Sequence, residues 1–258
     1  MASQALTARG ARLGRPVAPG LVPAPRRETA ETVRAVVLVL PGGDATSTRR
    51  RSPLAAALMW PLARHLVREG RADGLAAHVV HYRYRGWNGG NAHPAEDATW
   101  AVGEIVRRYG DVPVCLVGMD MGARAALHAA GHPAVNSVVA LSPWLPPGEE
   151  PDPVKQLIGR QVLIAHGTDD FATDPELSYL LAERAKKVNR DVCRFEVHTD
   201  GHTLHQHRAE IFALTTDFTL GALLDRPFAR PIADALAAPP PLGLRMPLAS
   251  GFGQSLRA

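Results

Sequence analysis

Short apolar runs rich in Val, Leu and Ile punctuate the middle of the chain, at Ala35–Leu40, Ala76–Tyr82, Val114–Gly118, Ser137–Leu141, Gln161–His166 and Cys193–Val197. Each is continuous rather than alternating, which is how a strand buried on both faces reads. Between them the apolar positions recur at helical spacing. The predicted helices cover 53–69, with Ser52-Pro53 as N-cap and first-turn pair; His93 to Tyr109, with Pro94 in the first turn; the stretch from just after Asp120 to Ala130; the stretch from Thr173-Asp174-Pro175 to about Lys187; and about His205 to Leu223. Strands alternating with helices predict an α/β domain over residues 33–225. It has a mostly parallel sheet of about six strands with helices on both faces, and right-handed crossovers fix most of its topology.

The flanks lack this pattern. Residues 1–32 are rich in Ala, Arg, Pro and Gly and read as an extended or disordered basic arm. The acid-free, Arg-rich opening has the composition of a transit peptide, but Pro16, Pro19, Pro23 and Pro25 oppose the amphipathic helix such a peptide needs. Residues 226–258, with Pro239-Pro240-Pro241 and scattered Gly, read as a tail that drapes over the domain.

Dividing the charge along the chain changes its meaning. The net +4 is the sum of +3 in residues 1–32 (five Arg, two Glu), +3 in 226–258 (four Arg, one Asp) and −2 in 33–225. A nucleic-acid site needs its basic charge on the folded domain, so nucleic acid is not an expected partner. Arg49-Arg50-Arg51 is the one local basic cluster and reads as a solvated loop or an anion contact near a site. No apolar run approaches the roughly 20 residues of a membrane helix, and the start has no signal-peptide core. No membrane partner is expected. Cys115 and Cys193 both sit in apolar runs, which excludes a disulfide framework and a Cys-based zinc site. They read as small buried hydrophobes in a reducing cytoplasm. The abundance of Ala, Arg, Gly and Pro suggests a GC-rich bacterial gene.

The chemistry concentrates where the third apolar run ends, in Gly118-Met119-Asp120-Met121-Gly122. This G-x-D-x-G has the spacing of the nucleophile elbow G-x-S-x-G, with Asp in place of Ser. In such a turn the glycines let backbone approach closely. The central side chain is lifted out at the C-terminal edge of the sheet, where open α/β sheets bind ligands. The following helix N-terminus favours an anion there. Two further segments stand at strand ends: His166-Gly167-Thr168-Asp169-Asp170, and Thr199-Asp200-Gly201-His202. His198, His202, His205 and His207 could be read as metal ligands, but they cross a strand-to-helix loop with no carboxylate or Cys in regular spacing. Neither a metal nor a cofactor is expected.

Together these segments resemble the α/β-hydrolase family over about residues 33–225, in the variant with Asp at the nucleophile position. The resemblance implies a nucleophile at Asp120, an acid at Asp170 (with Asp169 as the fallback) and a base at His202, in the family's chain order. It also implies an oxyanion hole from the backbone N–H groups of Gly43, in Leu40-Pro41-Gly42-Gly43, and of Met121. In the family an Asp nucleophile is typical of epoxide hydrolases and of haloalkane or haloacid dehalogenases. Chemistry agrees. A carboxylate attacking an acyl carbon makes an anhydride, whereas attack on a saturated carbon makes an ester that His-activated water can hydrolyse. Asp120 must be ionised and His202 neutral to act, so activity is expected to fall in acid.

The chain also departs from those relatives. Met121 stands where they commonly have Trp or Arg, and Gly43 where dehalogenases have a halide-holding Asn. The gap 143–160 is Pro-rich and too short for the usual helical lid. Tyr82 or Tyr84 could lie near the site, or pack at a strand end. Trp144 and Leu145 could form an apolar substrate wall, or core. Three readings follow: a lidless hydrolase of a small-molecule epoxide, halide, ester or lactone; a related binding protein that lost catalysis when Asp replaced Ser; or an interaction protein whose basic tails meet an acidic partner. The sequence does not set the oligomeric state.

Overall fold

The computed structural model describes residues 10–17, 33–50, 53–148 and 151–254. Most of the expected arm, the Ser52 cap and Arg51 therefore lie outside the described residues. The expected strands are present as β2 (Ala35–Leu40), β3 (Leu75–His81), β4 (Val114–Met119), β5 (Val135–Leu141), β6 (Gln161–Gly167) and β7 (Val192–Val197). The expected helices are α1 (Pro53–Gly70), α2 (His93–Tyr109), α3 (Met121–Ala129), α4 (Pro175–Val188) and α5 (Arg208–Leu224).

Eight strands form one sheet in the order β1-β3-β2-β4-β5-β6-β7-β8, parallel except at its β1 edge. The count exceeds the expected six because both flanks contribute. In the expected arm, β1 (Arg12–Leu13) pairs antiparallel with β3. In the expected tail, α6 (Arg230–Ala237) packs on the core and β8 (Met246–Pro247) pairs with β7. Two-residue strands carry too little periodicity to be read from sequence. The C-terminal segment is thus part of the domain, burying Ile232, Leu244, Leu248 and Phe252.

Burial on both faces explains the continuous apolar runs. Along β2, Val37 and Val39 face one core, with α1, α5 and α6; Val36, Leu38 and Leu40 face the other, with α2, α3 and α4. Helices change face because the chain changes direction. It runs outward from β2 through α1 to β3, then returns through α2 to β4 on the other side of β2. The gap between the C-terminal ends of β2 and β4 is therefore the switch point of the sheet, where such folds open a crevice. Burial pushes the Cys115 and Cys193 thiols up to about 11 and about 12. Among the described residues no helix is long and apolar enough to cross a membrane.

Candidate active site

At the switch point β4 turns sharply into α3. Asp120, the residue at the corner, adopts φ 56°, ψ −126°, a backbone region that an L-residue enters only under constraint. The constraint is contact on both sides. A Cβ on Gly118 would lie 2.2 Å from the Gly122 carbonyl oxygen, and one on Gly122 would lie 2.1 Å from that of Leu40. The two glycines are therefore required by close approach of α3 to β4 and β2. The Asp120 side chain is left partly exposed above the strand end.

Around it converge the loops after β2, β6 and β7. The Gly43 N–H donates to Asp120 Oδ2 at 3.2 Å. Met121, first residue of α3, has a backbone N–H with no intrahelical acceptor, and its buried side chain packs on Gly43. The oxygen Oδ1 of Asp120 lies 3.5 Å from His202 Nε2, and His202 Nδ1 lies 2.9 Å from Asp170 Oδ2. Asp170 is thus the carboxylate that meets His202 Nδ1. Asp169, the fallback, is exposed and takes a hydrogen bond from the Thr168 hydroxyl.

Hydrogen bonds fix the two loops that meet here. Asp170 Oδ1 accepts the N–H groups of Ala172 (2.8 Å) and Thr173 (2.9 Å), and Oδ2 accepts the Thr173 hydroxyl at 2.7 Å. Buried Asp200 accepts from the N–H groups of Gly201 and His207, both at 2.9 Å, which holds the His202 loop. His207 is committed to Asp200, and His205 to Thr203. Burial alone would raise Asp170, but bonds from His166, Thr173 and His202 hold its carboxyl far below the usual carboxylate range. The adjacent Asp120 carboxylate raises the His202 imidazole most. Burial works against this and Asp170 adds to it, and the outcome is about 9. At neutral pH the resting site therefore holds an imidazolium between two carboxylates.

The aromatic candidates divide. The buried Tyr82 hydroxyl donates to the Pro41 carbonyl at 3.1 Å and so steadies the Gly43 loop; burial, then the charges of Asp97 and Asp120, push its phenol well up. Tyr84 packs edge-on against His93. The Tyr82 hydroxyl is thus engaged in loop packing, and the Tyr84 ring packs at the start of α2. The backbone N–H of Trp144 donates to the Asp120 carbonyl at 3.1 Å, and its ring and that of Trp87, edge-on to each other, both lie against the guanidinium of buried Arg124. Arg124 also pairs with buried Asp152 at 2.9 Å. This stack was not expected, although Arg124 is the lone cation in the otherwise small and apolar start of α3. Leu145 lines a cavity of about 340 Å³ with Leu177, Leu181, Arg184 and the Arg124–Asp152 pair. None of Asp120, Asp170 and His202 lines it. The 143–160 gap, apart from residues 149–150, holds only the 3₁₀ turn Lys155–Leu157. Arg49 and Arg50 are solvent-exposed.

This geometry belongs to a known architecture. The chain has the α/β-hydrolase fold. The esterase Pf2001 of Pyrococcus furiosus superposes with a TM-score of 0.60 at 18% identity, covering 74% of this chain and 84% of that one. Est1E of Butyrivibrio proteoclasticus, solved with ferulic acid bound, gives 0.54 at 14% identity over 83% and 94%. An esterase of Pyrobaculum calidifontis gives 0.53 at 14% over 72% and 77%. No protein-family model and no curated protein sequence matches the chain. At these identities the likeness is one of fold. Within that α/β-hydrolase fold, Asp120 stands at the end of a central strand and at the N-terminus of a helix, and the loops after β6 and β7 bring an acid and a histidine to it.

Proposed function

We propose that this chain is a small hydrolase in which Asp120, His202 and Asp170 act as a catalytic triad on a small organic substrate of the epoxide, halide or ester/lactone type, through a covalent ester on Asp120. One observation carries the reading: the two oxygens of Asp120 have different surroundings. Oδ2 is held by the Gly43 N–H, while Oδ1 faces His202 Nε2. Oδ1, on the side of His202 and away from the Gly43 donor, is the nucleophile. A held Oδ2 becomes the ester carbonyl, already seated where charge will develop.

In the first step Oδ1 attacks a saturated carbon of the substrate. The Oδ1–C bond forms, and the leaving group departs with its electron pair from the opposite face. A halide needs no proton, and an alkoxide takes one from solvent. The ester has no charge, so the largest influence raising His202 is gone and the imidazolium loses its proton to solvent. In the second step neutral His202 takes a proton from water as the water oxygen attacks Cγ of Asp120. Charge then develops on Oδ2, against the N–H groups of Gly43 and Met121. The Cγ–Oδ1 bond breaks and the alcohol leaves with the proton from His202. The carboxylic acid left on Asp120, holding one oxygen from water, gives its remaining proton to His202, which restores the resting ion pair. Asp170, locked as a carboxylate, orients His202 throughout. The scheme uses no metal or cofactor.

A panel of epoxides, halocarbons, lactones and activated esters, offered to wild type and Asp120→Asn side by side, tests this. Turnover by wild type that is abolished in Asp120→Asn, with deamidation excluded by mass, is the expected result. Undiminished turnover by Asp120→Asn contradicts the proposal. Wild type inert on the whole panel favours the reading in which Asp replaced Ser and left a binding protein.

A further inference from the structure

We propose that His166 is a positioning residue for this site, a neutral imidazole whose Nε2–H is directed at Asp170 by a buried hydrogen-bond chain from Arg194 through Ser178. This rests on the triad reading for its purpose, but its geometry stands without it.

His166 ends β6 and is fully buried. Its Nε2 lies 3.1 Å from Asp170 Oδ2, the same oxygen that receives His202 Nδ1 and the Thr173 hydroxyl, and its Nδ1 lies 2.9 Å from Ser178 Oγ. Arg194, 1% exposed within β7, donates Nε–H to Ser178 Oγ at 3.0 Å and Nη2–H to the Pro175 carbonyl at 3.1 Å.

Counting protons fixes the direction. Ser178 has one hydroxyl proton and two acceptors in reach, the Pro175 carbonyl at 2.8 Å and His166 Nδ1. Pro175 is already served by Arg194. Were the ring proton on Nδ1, the Nε2 lone pair would face a buried carboxylate oxygen; the Thr173 hydroxyl lies 3.2 Å from Nε2, but its one proton is given to Asp170 Oδ2 at 2.7 Å. A proton on Nε2 removes that repulsion and lets the Ser178 hydroxyl donate to Nδ1, so that every group in the chain is satisfied. Burial lowers His166 more than Asp170 raises it, which keeps the ring neutral. The Asp170 carboxylate then accepts five donors, leaving no lone pair to take a proton from His202. The other end of the chain is anchored outside the site, because Arg194 Nη1 donates to the Leu244 carbonyl and pairs with Glu196.

The test needs no substrate. In ¹⁵N-labelled wild type at pH 7, long-range nitrogen–proton correlation should show His166 with one proton, on Nε2; a proton on Nδ1, or on both nitrogens, overturns the proposal. A matched pair of variants tests the positioning role. The amide nitrogen of His166→Gln reaches the place of Nε2 and can still donate to Asp170, whereas that of His166→Asn reaches only the place of Nδ1. The low-field resonance of His202 Nδ1–H should persist in His166→Gln and be broadened or lost in His166→Asn. Equal behaviour of two folded variants would reduce His166 to filling space. A correct tautomer in a chain inactive on every substrate would sink the triad and leave this assignment standing.

Discussion

Asp120 and His202 hold opposite charges 3.5 Å apart, and the consequence is measurable residue by residue. His202 should titrate near 9 in wild type and fall toward its ordinary value of 6.5 in Asp120→Asn, read by NMR. The sign for stability follows. A folded pKa above the unfolded one stabilises fully below about 6.5, and that contribution is lost as pH rises through about 9. Asp120→Asn should therefore flatten the pH dependence of unfolding on the alkaline side, from about pH 7 to pH 9. Asp120→Ser makes a second prediction. With the carboxylate gone His202 loses the largest influence holding it as an imidazolium, and a hydroxyl stands beside it under the Gly43 donor. This variant should gain hydrolysis of activated esters, together with covalent labelling at residue 120 by a fluorophosphonate. No labelling would show that the neighbouring donors are not placed for acyl chemistry.

The elements explain why the site was legible. Asp120, Asp170 and His202 each lie in a short segment at the end of an apolar run, so sequence order alone places them on one edge of a parallel sheet. The glycines flanking Asp120 were readable as close contacts, and the contacts are severe. Gly122→Ala would drive a methyl against the Leu40 carbonyl at 2.1 Å, and should cost about 1–3 kcal/mol or more, seen as a lower denaturant midpoint. The side chains that support the site were not legible, because their partners are remote. Arg194 bonds the carbonyl of a residue 50 positions away, and Arg124 pairs with Asp152 across 28. A cation in an apolar run gives no hint of which loop will neutralise it. Tyr82 and Tyr84 illustrate the same limit: nearness to the site could be read, but the hydroxyl of Tyr82 is bonded to Pro41.

At the scale of the molecule, the reading of 226–258 as a tail is what the structure revises. The segment has helical and strand pieces too short to show a period, yet it completes the sheet and covers one core. Truncation after Ala237 would remove buried Leu244, Leu248 and Phe252. Each such side chain is worth roughly 1.5–3 kcal/mol, so the sum is comparable with the whole stability of a domain. The truncated chain should fail to unfold cooperatively in calorimetry. Basic charge in this segment is likewise tied into the fold, since Arg245 pairs with Glu176 and Glu196.

The proposed reaction passes through an ester at Asp120, and removing the base of the second step should trap it. The most direct measurement is the intact mass of His202→Ala, with a peptide map, after incubation with each substrate that wild type consumes. The prediction is added mass equal to the transferred alkyl group on the peptide carrying Asp120, persisting after the free substrate is removed. A substrate that wild type turns over but that leaves Asp120 of His202→Ala unmodified would contradict the mechanism.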